Sequence, residues 1–188
     1  SHLVDVQALG DSYTTGGIHT IAWKSFMFKS GEFIEENCAL APRTAELLRT
    51  IPGVGPSIAA TLLAEIGDLS RFQTPLELMA YLGLVPSESS SGEKRRQGAI
   101  TKSGSRHARR LLVEAAWHYR RAPRKGRELR RRQEGQPQAV CAISWKAQQH
   151  LHRSWVRLDQ ERGKRRTLCA VAVARELSGF CWAVTTAD

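Results

Sequence analysis

Residues 51–56, Ile51-Pro52-Gly53-Val54-Gly55-Pro56, separate two short stretches of helical periodicity. Leu47 and Leu48 close the first; Ala59, Ala60, Leu62, Leu63 and Ile66 recur along one side of the second. Pro52 stops the first helix, and Gly53 and Gly55 tolerate a tight turn with positive φ. Pro56 suits the first position of a helix, where its missing N–H is no loss, and Gly67 ends that helix. The pattern predicts a helix-hairpin-helix unit over residues 43–83. Such a turn sets backbone N–H groups at a helix N-terminus, where a nucleic-acid phosphate fits. Gly53, Val54 and Gly55 are therefore the first candidate DNA contacts, and Gly53→Val is expected to weaken binding without unfolding the chain. The plain alternative is a turn that only joins two helices.

Charge points the same way. The chain has 188 residues and a formal net charge of +10, enough length for one or two small domains with an apolar core. Residues 94–166 carry 22 Lys and Arg against 5 Asp and Glu, whereas the remainder carries 6 against 13. Cations segregated this strongly suit a polyanion, although a solvated basic face has the same composition. No run of 18 apolar residues appears and the first residues do not read as a signal peptide, so no membrane partner is expected. Cys38, Cys141, Cys169 and Cys181 show no C-x-x-C spacing; free thiols and no metal site are expected.

Along the chain, residues 1–42 form a poorly defined N-terminal segment, with Gly16 and Gly17 as a possible hairpin turn. Thr74, Pro75 and Glu77 open a capped helix closed by Gly83. Residues 85–104, rich in Ser, Gly and basic groups, read as an exposed loop with a short extended piece at 97–101. Ala108, Leu111, Leu112, Ala115, Ala116 and Tyr119 make one apolar helical stripe ending before Pro123. Residues 124–137 read as a mobile connector or a phosphate-facing strip. Helices follow over about 144–162 and 167–184. The fold class is mainly α, divided as 1–42, 43–83 and a serine-loop and basic helical segment over 84–188.

Within the loop, Ser89-Ser90-Ser91-Gly92 precedes Glu93-Lys94-Arg95-Arg96. A serine hydroxyl needs activation before it attacks anything. Neighbouring cations would hold a phosphodiester and offset charge developing on its oxygens. Composition alone favours a linker.

Residues 48–121 resemble a known family. The matching stretches are L-R-T-I-P-G-V-G-P at 48–56, A-x-x-L-L-A-E-I-G-D at 59–68, R-F at 71–72 and A-Y-L-G-L-V-P at 80–86. S-S-G at 90–92, G-A-I-T-K-S-G-S-R at 98–106, R-R-L-L-V-E-A-A at 109–116 and A-V-A-R-E-L-S-G-F at 172–180 continue them. Together they resemble the C-terminal serine domain of insertion-sequence transposases that also carry an N-terminal RuvC-like domain with four carboxylates. Some members use a bridge RNA as guide, and Piv-type DNA invertases are relatives.

The resemblance implies transposition or site-specific recombination, in which a serine attacks a DNA phosphodiester and forms a serine–DNA link. Ser91 is the implied nucleophile and Ser90 the alternative. Lys94, Arg95, Arg96, Lys102, Arg106, Arg109 and Arg110 are candidate phosphate contacts. Mg²⁺ is implied only together with a RuvC-like domain, which residues 1–42 do not resemble. This chain is therefore expected to bind no cofactor itself and to represent a truncated or partial transposase. DNA is the implied partner, with a guide RNA and a homo-oligomer on DNA as further expectations, in the bacterial cytoplasm at the nucleoid. A non-catalytic DNA- or RNA-binding helix-hairpin-helix module is the competing reading.

Overall fold

The computed structural model describes residues 31–91 and 94–187, with residues 88–91 and 94–97 as backbone only. The suggested turn at Gly16 and Gly17 and the tip of the serine segment, residues 92–93, lie outside the described residues. The fold is mainly α. A compact unit runs from Ile34 to Asp188.

After a first helix at residues 31–40 (α1), the chain enters α2 (Pro42–Arg49) and α3 (Pro56–Ile66). Each of these two begins with proline, as a helix start allows. α2 buries Ala45, Leu47 and Leu48. α3 buries Ala59, Ala60, Leu62, Leu63 and Ile66, and Gly67, at φ +73°, ends it.

α4 (Pro75–Tyr81) shows the predicted cap. The Glu77 N–H donates to Thr74 Oγ1 at 3.3 Å, and Glu77 Oε2 accepts from the N–H of Gln73 at 2.9 Å. The returning bond therefore reaches one residue before the cap, where a capping box would have used Thr74 itself.

Residues 85–104 are not the expected loop. β1 (Pro86–Ser91) and β2 (Lys94–Ile100) form an antiparallel pair with an irregularity between Pro86 and Glu88. The composition argument failed because ladder hydrogen bonds are made by the backbone and need no apolar periodicity. The base of this hairpin is fixed. Thr101 N–H donates to Val85 O at 2.9 Å, Lys102 N–H to Gly83 O at 3.0 Å, and Ile100 packs on the core. Gly83 and Gly104 have φ of +64° and +70°, and a Cβ on Gly104 would overlap the Tyr81 carbonyl. Here two backbone segments touch, which only glycine permits.

α5 (Arg106–Ala116) is capped by Ser105, whose Oγ accepts from Ala108 N–H at 3.1 Å. Its predicted stripe is inside: Ala108, Leu112, Ala115, Ala116 and Tyr119 are buried, and Leu111 is half-buried. A 3-10 turn (Trp117–Arg120) follows. Residues read as a connector contain α6 (Arg127–Gln133), which buries Leu129. α7 (Gln138–Val156) starts six residues before the predicted point and passes into a π-turn at Arg157–Glu161.

α8 (Arg166–Thr185) lies against α2, α4, α5 and α7. It is the core helix of this unit, burying Cys169, Ala170, Val173, Ala174, Leu177, Cys181 and Val184. A Cβ on Gly179 would sit 2.7 Å from Met79 Cε, so α4 and α8 approach closely there. By length and composition alone α8 could cross a bilayer; in this fold one face of it fills the core, while Leu168 stays exposed. Segments 43–83 and 84–188 contribute to one shared apolar cluster.

Candidate nucleic-acid interface

The glycine turn is tied down from three sides. Pro52 O accepts from the Tyr119 hydroxyl at 2.6 Å, and Val54 O from Arg132 Nη1 at 3.0 Å. Thr50 O accepts from Gln133 Nε2 at 3.1 Å and from Ser144 Oγ at 2.6 Å. Tyr119 follows α5, Arg132 and Gln133 belong to α6, and Ser144 belongs to α7. These bonds satisfy carbonyls that could not be left unpaired in a buried turn.

The site residues within the turn divide accordingly. Val54 is fully buried, and its N–H bonds Ile51 O at 3.1 Å, so it is held inward and presents no surface. Gly53 has φ +85°, and a Cβ there would lie 2.9 Å from Ala115 O and 3.2 Å from His118 Cβ. The expectation that Gly53→Val would spare the fold is therefore overturned: the new side chain would strike backbone. Gly55 has φ −88° and open space around its Cβ position. Ala59 N–H makes the first bond of α3, to Gly55 O at 3.0 Å. The N–H groups of Ser57 and Ile58 precede it, as at any helix start.

Beside Gly53 lies an open depression of about 470 Å³. Ile58 lines it from α3; Trp117, His118, Arg120 and Arg121 line it from the turn after α5. Trp117 is 37% exposed, with its ring centroid 5.2 Å from that of the buried Trp155. Burial, with Arg121, Arg132 and Arg124 nearby, holds the His118 imidazole below its usual range. Glu114 also borders the depression, but its carboxylate is 3.1 Å from Arg110 Nε.

The cations named from the sequence serve different ends. Arg109 Nη1 donates to Leu82 O at 2.8 Å and Ser103 O at 2.7 Å, joining α5 to the base of the serine hairpin. Its guanidinium thus has an internal role. Arg110 is exposed and paired with Glu114. Lys102, at φ +59°, and Arg106 are exposed. Along the strands the register pairs Ser91 with Lys94, Ser90 with Arg95 and Ser89 with Arg96. Both candidate nucleophiles are thus placed opposite basic residues by the ladder. Among the described residues no group of three or more His, Cys, Asp and Glu is arranged to hold a metal ion. Cys169 and Cys181 are buried, and burial pushes the Cys181 thiol up to about 12.

Sequence reasoning missed Trp117, His118, Arg121 and the anchoring Arg132. One signal was available: Trp117 sits off the apolar stripe, three residues before the arginine pair Arg120-Arg121. The clamps from Arg132 and Gln133 left no such trace, because they join residues 78 and 83 positions apart.

Comparison with known proteins adds a family. Residues 45–131 match the Transposase IS116/IS110/IS902 family. A Sinorhizobium fredii protein named "Putative transposase y4qE" is 47% identical over 137 residues, 73% of this chain and 35% of that protein. A transposase for an insertion sequence element of Coxiella burnetii is 38% identical over 88 residues, 46% of this chain and 24% of that protein. The pilin gene-inverting protein of Moraxella bovis is 42% identical over 73 residues, 38% of this chain and 23% of that protein. The matches thus span at most about a third of the length of these relatives.

Proposed function

We propose that this chain works in DNA transposition as part of a transposase related to the IS116/IS110/IS902 family. One observation carries the reading. The matched segment, residues 45–131, spans the glycine turn, the serine hairpin, α5 and the depression after it. These parts form one packed block, with Arg109 joining α5 to the hairpin base and Tyr119 joining the following turn to Pro52. DNA is the proposed partner, since the relatives named transposases rearrange it, and the bacterial cytoplasm is the proposed location.

In this reading Ser91, or Ser90 in its place, is the nucleophile. Its Oγ forms a bond to a DNA phosphorus, the hydroxyl proton leaves to a base, and the bond from phosphorus to one strand oxygen breaks. That strand oxygen takes up a proton from an acid and departs as an alcohol, and the other strand remains as a serine phosphodiester. The strand register, which sets Ser91 opposite Lys94 and Ser90 opposite Arg95, supports cationic help at that phosphate. Lys102 and Arg106, both exposed, would hold flanking phosphates. A guide RNA and a homo-oligomer on DNA belong to the same reading.

The test incubates the chain with end sequences of the element, alone and with a full-length relative. A covalent protein–DNA product is expected, lost in Ser91→Ala. Loss in Ser90→Ala alone would move the nucleophile by one residue. Salt-sensitive DNA binding with no covalent product in any arm would replace the enzyme with the non-catalytic binding module.

A further inference from the structure

The depression beside Gly53 has three properties that seldom coincide on an ordinary solvated surface. It offers a partly exposed indole whose position is fixed: Trp117 packs on Trp155, which is 1% exposed, with the rings inclined at 53°. It carries two exposed guanidinium groups, Arg120 and Arg121, with no acidic partner among the described residues. Its one bordering carboxylate, Glu114, is already matched by Arg110. Arg124 and Arg132 add to the positive field felt at His118.

An aromatic surface with adjacent cations matches the two halves of a nucleotide, a flat base and an anionic phosphate. The volume, about 470 Å³, lies within the range of small-ligand sites. A base inside a duplex cannot enter, because its faces are covered by its neighbours; an unpaired base can. The glycine turn matters here too. Any side chain at Gly53 would push against Ala115 and His118, which border the same recess.

We infer that this depression receives one unpaired nucleotide, its base against Trp117 and its phosphate at Arg120 and Arg121. The inference rests on the nucleic-acid reading above and deepens it: the chain grips a strand where base pairing is broken. Ile58 and the His118 ring complete the walls.

The test measures affinity of the 188-residue chain for three duplexes of one sequence: fully paired, with one extra unpaired nucleotide, and with that nucleotide abasic. DNA and RNA versions are compared. The unpaired nucleotide is expected to tighten binding about 10-fold over the paired duplex, within the range of one base–aromatic stack. The abasic form should lose that gain, with no change made to the protein. Trp117→Ala should lose the gain and leave paired-duplex affinity within about twofold; Trp117→Phe should keep most of it. A gain seen only in DNA, or only in RNA, identifies the source of the nucleotide. Equal affinity for paired and bulged forms, or a gain that survives the abasic form or Trp117→Ala, overturns the inference while leaving duplex binding in place. Absence of binding to every duplex instead removes the reading on which it rests.

Discussion

The glycine turn and the serine hairpin are built on opposite plans. At residues 50–55 the turn is held by side chains from three later parts of the chain, and Ile51 and Val54 are fully buried. In β1 and β2 the strands hold each other, and the fixed points lie at the base, through residues 83–85 and 101–104. The segment with the look of a ligand-binding motif is thus largely framework, and the segment with the look of a linker is an ordered ladder. Glycine explains both. At Gly53 and Gly104 its missing side chain allows backbone to meet backbone, which composition alone cannot distinguish from flexibility.

The sharpest way to break this contrast is Gly104→Ala. The new Cβ would overlap the Tyr81 carbonyl at φ +70°, combining left-handed strain with overpacking. A loss of about 4 kcal/mol is expected in urea unfolding. A loss below about 1 kcal/mol would show that the hairpin base is not anchored there. Gly53→Ala comes next, at about 2–3 kcal/mol, since its Cβ would lie 2.9 Å from Ala115 O at φ +85°. Gly55→Ala, in open space at φ −88°, should change stability by less than about 1 kcal/mol. Equal costs at the two glycines would refute the view that only one is clamped.

Tyr119→Phe deletes the hydroxyl that serves Pro52 O and leaves a buried acceptor unpaired. About 1–2 kcal/mol of thermal or urea stability should go. The pair Arg120→Gln and Arg121→Gln tests the surface rather than the frame. Stability should move by less than about 0.5 kcal/mol, while the salt slope for the duplex with one unpaired nucleotide falls by up to about 0.9, the share of the one phosphate the two arginines hold.

The smallest expected effect is a pH dependence from His118. Its pKa is lowered in the fold, first by burial and then by Arg121, Arg132 and Arg124. The unfolded chain therefore binds the proton more readily. Stability should fall as pH drops through the unfolded value of about 6.5, and level off below the folded one. His118→Gln should flatten that window relative to the parent; an unchanged profile would show that His118 is solvated like a free imidazole.

Local chemistry was legible before any coordinates. Pro56 and Pro75 begin helices, Thr74 caps one of them, and the Ala108–Tyr119 stripe faces the core. These signals act over three or four residues, so the sequence displays them directly. The β-hairpin was hidden because its ladder draws on backbone groups shared by all residues. The interface was hidden for a different reason. Arg109 was indistinguishable in sequence from Arg106, yet two carbonyls claim its guanidinium and leave Arg106 exposed.

What the chain by itself determined was its helical character, the proline-marked starts of α3 and α4, its charge segregation and the serine–glycine–basic run. What only tertiary structure decided was which polar groups became internal struts and which stayed at the surface. Arg132 and Gln133 reach the glycine turn across about eighty residues, and Trp117 meets Trp155 only once α7 is packed in place. Such choices depend on burial and on carbonyls that must find donors, and both exist only after distant segments have come together.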